Sequence, residues 1–165
     1  MKTRNIILTS SIGGLVLLIL YFHFNNKTGT NKNFQKKFAL NEASLEKINK
    51  IVNQENYNSL RVNISFDKNL NIRMNHLDNS STQFEEKDLE NLKLIRDKLE
   101  FYGIAKMGSV NLIIMSMFMG NGYGYLKTNK ETVENLKKQA YYGINGLEIV
   151  SVVELGANWY RIGFT

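Results

Sequence analysis

Apolar and polar residues follow one another with a period that changes several times along the chain, and each change predicts a new element. After Asn41, apolar residues recur at helical spacing and predict a helix over about 42–54. From Leu60 the period becomes two, and a second alternating segment follows the polar loop 67–69. This stretch predicts a β-hairpin with one apolar and one polar face, in which Asn69 takes the left-handed position of the loop.

Two further helices are predicted from matching start and stop signals. A capping-box pattern precedes each periodic apolar stretch: Thr82 with Glu85, and Thr128 with Glu131. A glycine follows each stretch, where the chain must take the left-handed conformation that ends many helices. The two predicted stop residues are Gly103 and Gly143.

The run Val110–Met119 is apolar at both alternate sets of positions, unlike the first hairpin. Such a run fits a buried helix as well as a strand, but its length and the flanking Gly108 and Gly120 favour one or two strands. We predict that it is the most buried strand of the protein. Two more hairpins are predicted after it, one leading into 123–127 and one that pairs 147–155 with 159–165.

The predicted elements come in the order helix, hairpin, helix, hairpin, helix, hairpin. Each strand pair can close locally, which favours antiparallel pairing. The sequence therefore predicts an α+β domain with a mainly antiparallel sheet of about six strands and about three helices packed on one face.

Ahead of these elements lies an uncharged apolar stretch, Ile6–Phe24, preceded by Lys2 and Arg4. As a helix it spans about 28 Å, close to the ~30 Å hydrocarbon core of a bilayer. A cleavable signal peptide has a shorter apolar region and then small residues, whereas this stretch ends in bulky aromatic residues typical of a membrane interface. We expect an uncleaved transmembrane helix, with a cleaved signal peptide as the alternative. The short basic tail before it favours an extracytoplasmic position for residues 25–165.

Small residues recur at four-residue spacing inside this apolar stretch. Such pairs let two membrane helices approach closely, although small residues are also common in single spans. A weak homodimer through this surface is a further hypothesis. It involves Thr9, Ser10, Gly13 and Gly14.

The net charge of +6 is concentrated next to the apolar stretch. Residues 25–50 carry six lysines and two glutamates, whereas residues 51–165 hold 13 basic and 13 acidic side chains. A basic flank of this kind is attracted to anionic headgroups, and the lack of net charge beyond it argues against nucleic-acid binding. We divide the chain into a membrane anchor (1–24), a basic tether (25–40) and a single α+β domain (41–165).

Residue types that carry catalysis or bind metals are scarce. There is no cysteine, and neither of the two histidines, His23 and His76, has a convincing partner in the sequence. The glycines at 120, 122 and 124 lack the lysine and hydroxyl residue of a phosphate-binding loop. No catalytic residue, metal site or cofactor is predicted.

The predicted binding surface consists of four aromatic residues of the second and third hairpins: Tyr123, Tyr125, Trp159 and Tyr160. Tyrosine and tryptophan are enriched at the energetic centres of protein interfaces. On a period of two, Tyr123 and Tyr125 share one face of the sheet, while Trp159 and Tyr160 point to opposite faces. The alternative is that most of these rings belong to the core.

These observations predict a membrane-anchored, non-catalytic domain that binds another protein, such as an accessory, inhibitory or immunity-type factor. The alternative is a membrane-anchored domain that binds a small ligand or a lipid in an apolar pocket. A large pocket lined by Met115, Met117, Met119 and tyrosines would favour the ligand. A closed core with an exposed aromatic surface would favour the protein partner.

Removal of residues 1–33 should leave a soluble, cooperatively folding domain, because every predicted helix and strand other than the membrane helix lies beyond that segment. The measurement is thermal unfolding followed by circular dichroism. Aggregation of the shortened protein both in native buffer and in mild detergent would contradict the predicted boundary.

Overall fold

The computed structural model describes residues 31–78, 82–138 and 146–165. Within them lie three α-helices, α1 (Asn31–Val52), α2 (Glu86–Leu99) and α3 (Lys130–Lys138), and a 3₁₀ turn (Glu55–Tyr57). The strands are β1 (Arg61–Phe66), β2 (Ile72–His76), β3 (Gly103–Met107), β4 (Val110–Phe118), β5 (Asn121–Lys127), β6 (Ile149–Gly156) and β7 (Trp159–Phe164). The predicted anchor, its proposed dimer surface and Gly143 lie outside the described residues.

The strands form one sheet in the order β2-β1-β3-β4-β5-β7-β6, in which all neighbours are antiparallel. The predicted α+β class and antiparallel sheet are confirmed, with seven strands instead of about six. The strand that sequence reasoning missed is β3. Gly103 was predicted to end a helix, but α2 ends earlier, at Glu100, which takes the left-handed conformation (φ 54°).

Helix α1 begins at Asn31 and not near residue 42, so part of the predicted tether is helical. The sheet and the remaining helices belong to a unit that spans Phe38–Thr165. Phe38 lies in the core of that unit, which explains why the helical segment cannot begin after it. None of the helices in the described residues is long and apolar enough to cross a membrane.

Both faces of the sheet are covered, so the prediction that the helices pack on one face is wrong. On the first face, α1 and α2 pack over a core that includes Leu45, Ile48, Leu92, Ile104, Ile113, Tyr125 and Trp159. On the second face, α3 packs over Leu112, Ile114, Leu126, Tyr160 and Ile162 through Val133 and Leu136. The central strands β4, β5 and β7 are therefore buried on both sides, which explains the apolar run that begins at Val110.

The two later helices begin with different side-chain hydrogen bonds, one from a residue remote in sequence and one from a residue next to the helix. Helix α2 starts at Glu86, and its N-cap residue Glu85 makes no side-chain cap hydrogen bond, so the predicted capping box does not form. Instead the Tyr57 hydroxyl accepts the Glu85 N–H (2.8 Å) and donates to the Asp88 carboxylate (3.0 Å). In α3 the side chain of Asn129 accepts the Thr132 N–H (2.8 Å).

The hairpins close through residues with positive φ. Leu70, and not Asn69, is left-handed after β1 (φ 60°). The β4–β5 turn has positive φ at Met119 (49°) and Gly120 (83°), and the β6–β7 turn has it at Ala157 and Asn158. Paired positive φ values are typical of type I′ turns, whose twist matches that of the strands.

Strand β6 forms one edge of the sheet, and it departs from regular pairing near both ends. Its register against β7 shifts between Ile149 and Ser151 and again between Glu154 and Gly156. The other edge is β2, which pairs only with β1. Irregularities of this kind twist an edge strand away from regular pairing.

Two leucines of α2 provide a matched test of the layered packing. Leu92 is fully buried beneath the helix, whereas Leu94 is 63% exposed. Leu92→Ala should lower the free energy of unfolding by about 2–5 kcal/mol, and Leu94→Ala by no more than about 0.5 kcal/mol. Urea denaturation measures both values, and equal effects of the two exchanges would contradict the packing of α2 on the first face.

Candidate functional site

Three of the four aromatic residues predicted to bind a partner lie in the core. Trp159 is fully buried, and Tyr125 and Tyr160 are each 4% exposed. The ring of Phe38 lies 5.8 Å from that of Tyr125 and 5.6 Å from that of Trp159. The predicted surface, which could include only one of Trp159 and Tyr160, therefore loses both of them and Tyr125 to the core, as the alternative interpretation expected, because helices cover both faces of the sheet at these strands.

Trp159 fixes α1 to the sheet. Its Nε1–H donates to the Glu46 carboxylate (3.0 Å), which also accepts a hydrogen bond from the Lys127 ammonium (2.5 Å). Burial raises the pKa of Glu46, but the hydrogen bonds from Lys127 and Trp159 outweigh it and hold that pKa below its usual value. The tryptophan thus has a structural partner on the helix that covers it.

Tyr123 is the one predicted residue that remains partly exposed. It shares a face with Tyr125, as predicted, and the two rings lie edge to face at 6.5 Å. The guanidinium of Arg161 stacks over the Tyr123 ring at 4.5 Å. This stacking orients the ring at the margin of the first-face core.

Exposed apolar residues lie elsewhere, at the end of the sheet where β4 turns into β5. Phe118 is 72% and Met119 84% exposed, and Tyr102, which precedes β3, is 48% exposed. The Tyr102 N–H donates to the Ile114 carbonyl (2.7 Å), which places Tyr102 beside β4 four residues before Phe118. We name Tyr102, Phe118 and Met119 the apolar end.

Met119 breaks two local preferences at once. Its left-handed conformation suits asparagine, aspartate or glycine, and an L side chain there costs about 1–2 kcal/mol. Its apolar side chain is also left in solvent. Local rules are broken most often where a residue has a role other than folding, which makes the apolar end the strongest candidate surface among the described residues.

A cavity of about 160 Å³ opens on the second face, beside the apolar end. Its floor is Gly103, its polar wall is Asn63 and Ser65, and its apolar wall is formed by Tyr102, Ile114, Met117 and Leu147. A Cβ atom on Gly103 would lie 2.5 Å from the Ile64 carbonyl oxygen, so this floor admits only glycine without a backbone shift. None of the described residues that line the cavity is charged.

Sequence reasoning missed the apolar end because it assigned the whole run Val110–Met119 to the core. The structure divides that run: its first five residues are buried, and the exposure then alternates. The signal was present, since Phe118 and Met119 are the last residues before a glycine turn, where a strand leaves the covered part of the sheet.

The buried titratable groups of the described chain have structural partners. Lys106 is fully buried, and its ammonium donates to the Gly108 carbonyl (2.6 Å) and lies 3.4 Å from the Asn111 side-chain oxygen. The Asn111 amide in turn donates to the Asn53 side chain (2.7 Å) just beyond α1. Burial lowers the pKa of Lys106 to about 8, yet no solvent reaches the amine.

The described residues contain no group of three or more histidine, aspartate or glutamate side chains that could hold a metal ion. His76 ends β2, where its Nδ1 is buried without a hydrogen-bond partner. Comparison of the chain with protein-family models, curated proteins and solved structures found no match. The geometry of the apolar end and of the cavity therefore carries the functional argument.

Lys106 makes the stability depend on pH. The unfolded chain keeps this proton up to about pH 10.4, whereas the folded protein loses it near pH 8, so stability should rise by roughly 2 kcal/mol between pH 8 and pH 10. Above about pH 10 the rise in stability should end. Burial raises the pKa values of Tyr57, Tyr125 and Tyr160 in the folded protein, and this lowers stability as the pH increases. Urea denaturation at several pH values measures the slope, which Lys106→Met should remove. An unchanged slope in the variant would contradict the assignment.

Proposed function

We propose that this protein is a membrane-anchored, non-catalytic domain that binds another protein through the apolar end. The observation that carries the proposal is the exposure of Phe118 and Met119 next to each other at the β4–β5 turn. Large apolar residues held in solvent at one place are typical of surfaces that a partner covers. The anchor is the apolar stretch 6–24, and the domain lies on the extracytoplasmic side.

The shape of the β4–β5 hairpin supports this role. Strand β3 begins at Gly103, opposite Ile114, so β4 continues for four more residues without β3 beside it. At about 3.3 Å per residue, the β4 edge of the hairpin extends roughly 13 Å past the start of β3, while β5 on its other side stays paired with β7 as far as Gly122. A rigid hairpin presents its end to a partner with little loss of conformational entropy on binding.

The alternative function, binding of a whole small ligand or lipid, has weaker support. Ligand pockets commonly measure about 300–1,000 Å³, and the cavity beside Gly103 holds about 160 Å³. Met115 packs against the first-face core and Met119 lies in solvent, so only Met117 of the three methionines expected around a pocket lines the cavity. The protein partner is therefore the preferred proposal.

The test is capture of a partner by the full-length protein in detergent, with membranes of the native cells as the source. The double exchange Phe118→Ser and Met119→Ser should weaken the affinity for the partner by roughly a thousandfold, because exposed anchors of this size contribute about 2 kcal/mol or more each when a partner buries them. The melting temperature should stay within a few degrees of wild type.

Leu94→Ser is the matched control, since it removes an exposed apolar side chain from α2 and leaves Phe118 and Met119 in place. It should leave capture unchanged. Equal capture by wild type and by the double variant would show that the apolar end is not the binding surface.

A further inference from the structure

The cavity beside the apolar end is created by a gap in one row of side chains. Strand pairing places Ser65, Gly103, Ile114, Gly124 and Ile162 side by side across the second face. Helix α3 covers the part of this face that includes Ile114 and Ile162. Among the described residues, no side chain fills the row at Gly103, and its neighbour Ser65 is small, so the cavity opens where the described cover ends.

The volume of the cavity selects the size of its occupant. A cavity of about 150 Å³ lined by aliphatic and aromatic side chains is known to hold one benzene molecule. The cavity here, about 160 Å³, therefore has room for one aromatic ring or one branched aliphatic group. A whole acyl chain or a cofactor does not fit.

The residues that line the cavity determine the chemical class of its occupant. Met117, Ile114 and Leu147 offer apolar contacts, and a charged group placed among them would lose its hydration with no charged partner in return. Asn63 and Ser65 add an amide and a hydroxyl along the opposite wall, within the polar face of the first hairpin. An apolar side chain carried on a polypeptide backbone matches both walls, because the backbone itself needs hydrogen-bond partners.

We propose that this cavity is the anchor pocket for a single leucine- or phenylalanine-sized side chain of the protein partner. The inference rests on the proposed function and adds the chemistry of recognition to it. Tyr102 lines the cavity and is 48% exposed, so a partner whose side chain enters the cavity also contacts this ring. Interfaces are commonly centred on one buried anchor in a pocket, surrounded by contacts that exclude water.

The methionine methyl groups provide the readout. The full-length protein in lipid nanodiscs, labelled at its methionine methyls, is titrated with N-acetyl-leucinamide, N-acetyl-phenylalaninamide and N-acetyl-glycinamide. The Met117 methyl signal should shift and saturate with the first two probes and not with the glycine probe. The Met74 signal, from a residue packed against the first-face core, should not shift.

Two variants test whether the response comes from the cavity. Ser65→Phe places a ring into the cavity and should abolish the saturating shift, and Leu147→Trp does the same from the other wall if the first variant fails to fold. Glu90→Phe is the matched control, because it adds the same ring to an exposed position of α2, which packs on the first face and not on the face of the cavity. It should leave the titration unchanged.

Absence of a saturating shift at Met117, an equal response to the glycine probe, or an unchanged response in a folded cavity-filling variant would each overturn the inference. Saturation by octanoate alone would also overturn it and would indicate a pocket for the end of an acyl chain. Partner capture that depends on Phe118 and Met119, with no response at Met117, would reject the pocket and leave the proposed function standing.

Discussion

Burial of the central strands on both faces is the constraint on which the rest of this structure depends. Because β4, β5 and β7 are covered by α1 and α2 on one side and by α3 on the other, successive residues of these strands belong to opposite cores. Trp159 and Tyr160 are neighbours in sequence, yet one packs beneath α1 and the other on the face that α3 covers. The polar groups that remain inside serve as fixed points: Glu46 receives the indole of Trp159, and the amide of Asn111 joins the sheet to the residue that follows α1. Such pairs cost little when satisfied and are expensive to break, so they help to fix where each helix lies.

The local part of this fold could be predicted from the sequence, and the non-local part could not. The alternation from Leu60 onward specified the first hairpin, because its polar face is not covered. Strand β3 gave no such signal, since the buried Ala105 and Lys106 are not typical of a strand and Gly103 also fits a helix end. Thr82 and Glu85 did not predict the start of α2 correctly. The Glu85 N–H donates to the Tyr57 hydroxyl, which belongs to a residue 28 positions earlier in the chain. The aromatic residues likewise suggested a binding surface. Their type did not reveal whether each ring is exposed, because that depends on where α1 lies.

The apolar end and the cavity both arise where the covering layers stop. Beyond Ile114, the strand β4 has neither β3 beside it nor consistent burial, and its side chains alternate between partial and full exposure. The same boundary leaves the row of side chains open at Gly103, whose close approach to the Ile64 carbonyl excludes a larger residue. A surface built in this way needs no loop to form it. Its parts are held by strand pairing, and its chemistry is set by a few side chains that folding does not require.

The irregular edge of the sheet has a consequence for how copies of the protein associate. Strand β6 is apolar at five of its eight positions, and an edge of that composition is a template for adding strands from a second molecule. The register shifts near both ends leave only the short segment between Ser151 and Glu154 in regular geometry. A strand added from a second molecule finds few regularly spaced hydrogen-bond partners on so short a segment. The two bulges thus limit the growth of intermolecular sheets from this edge.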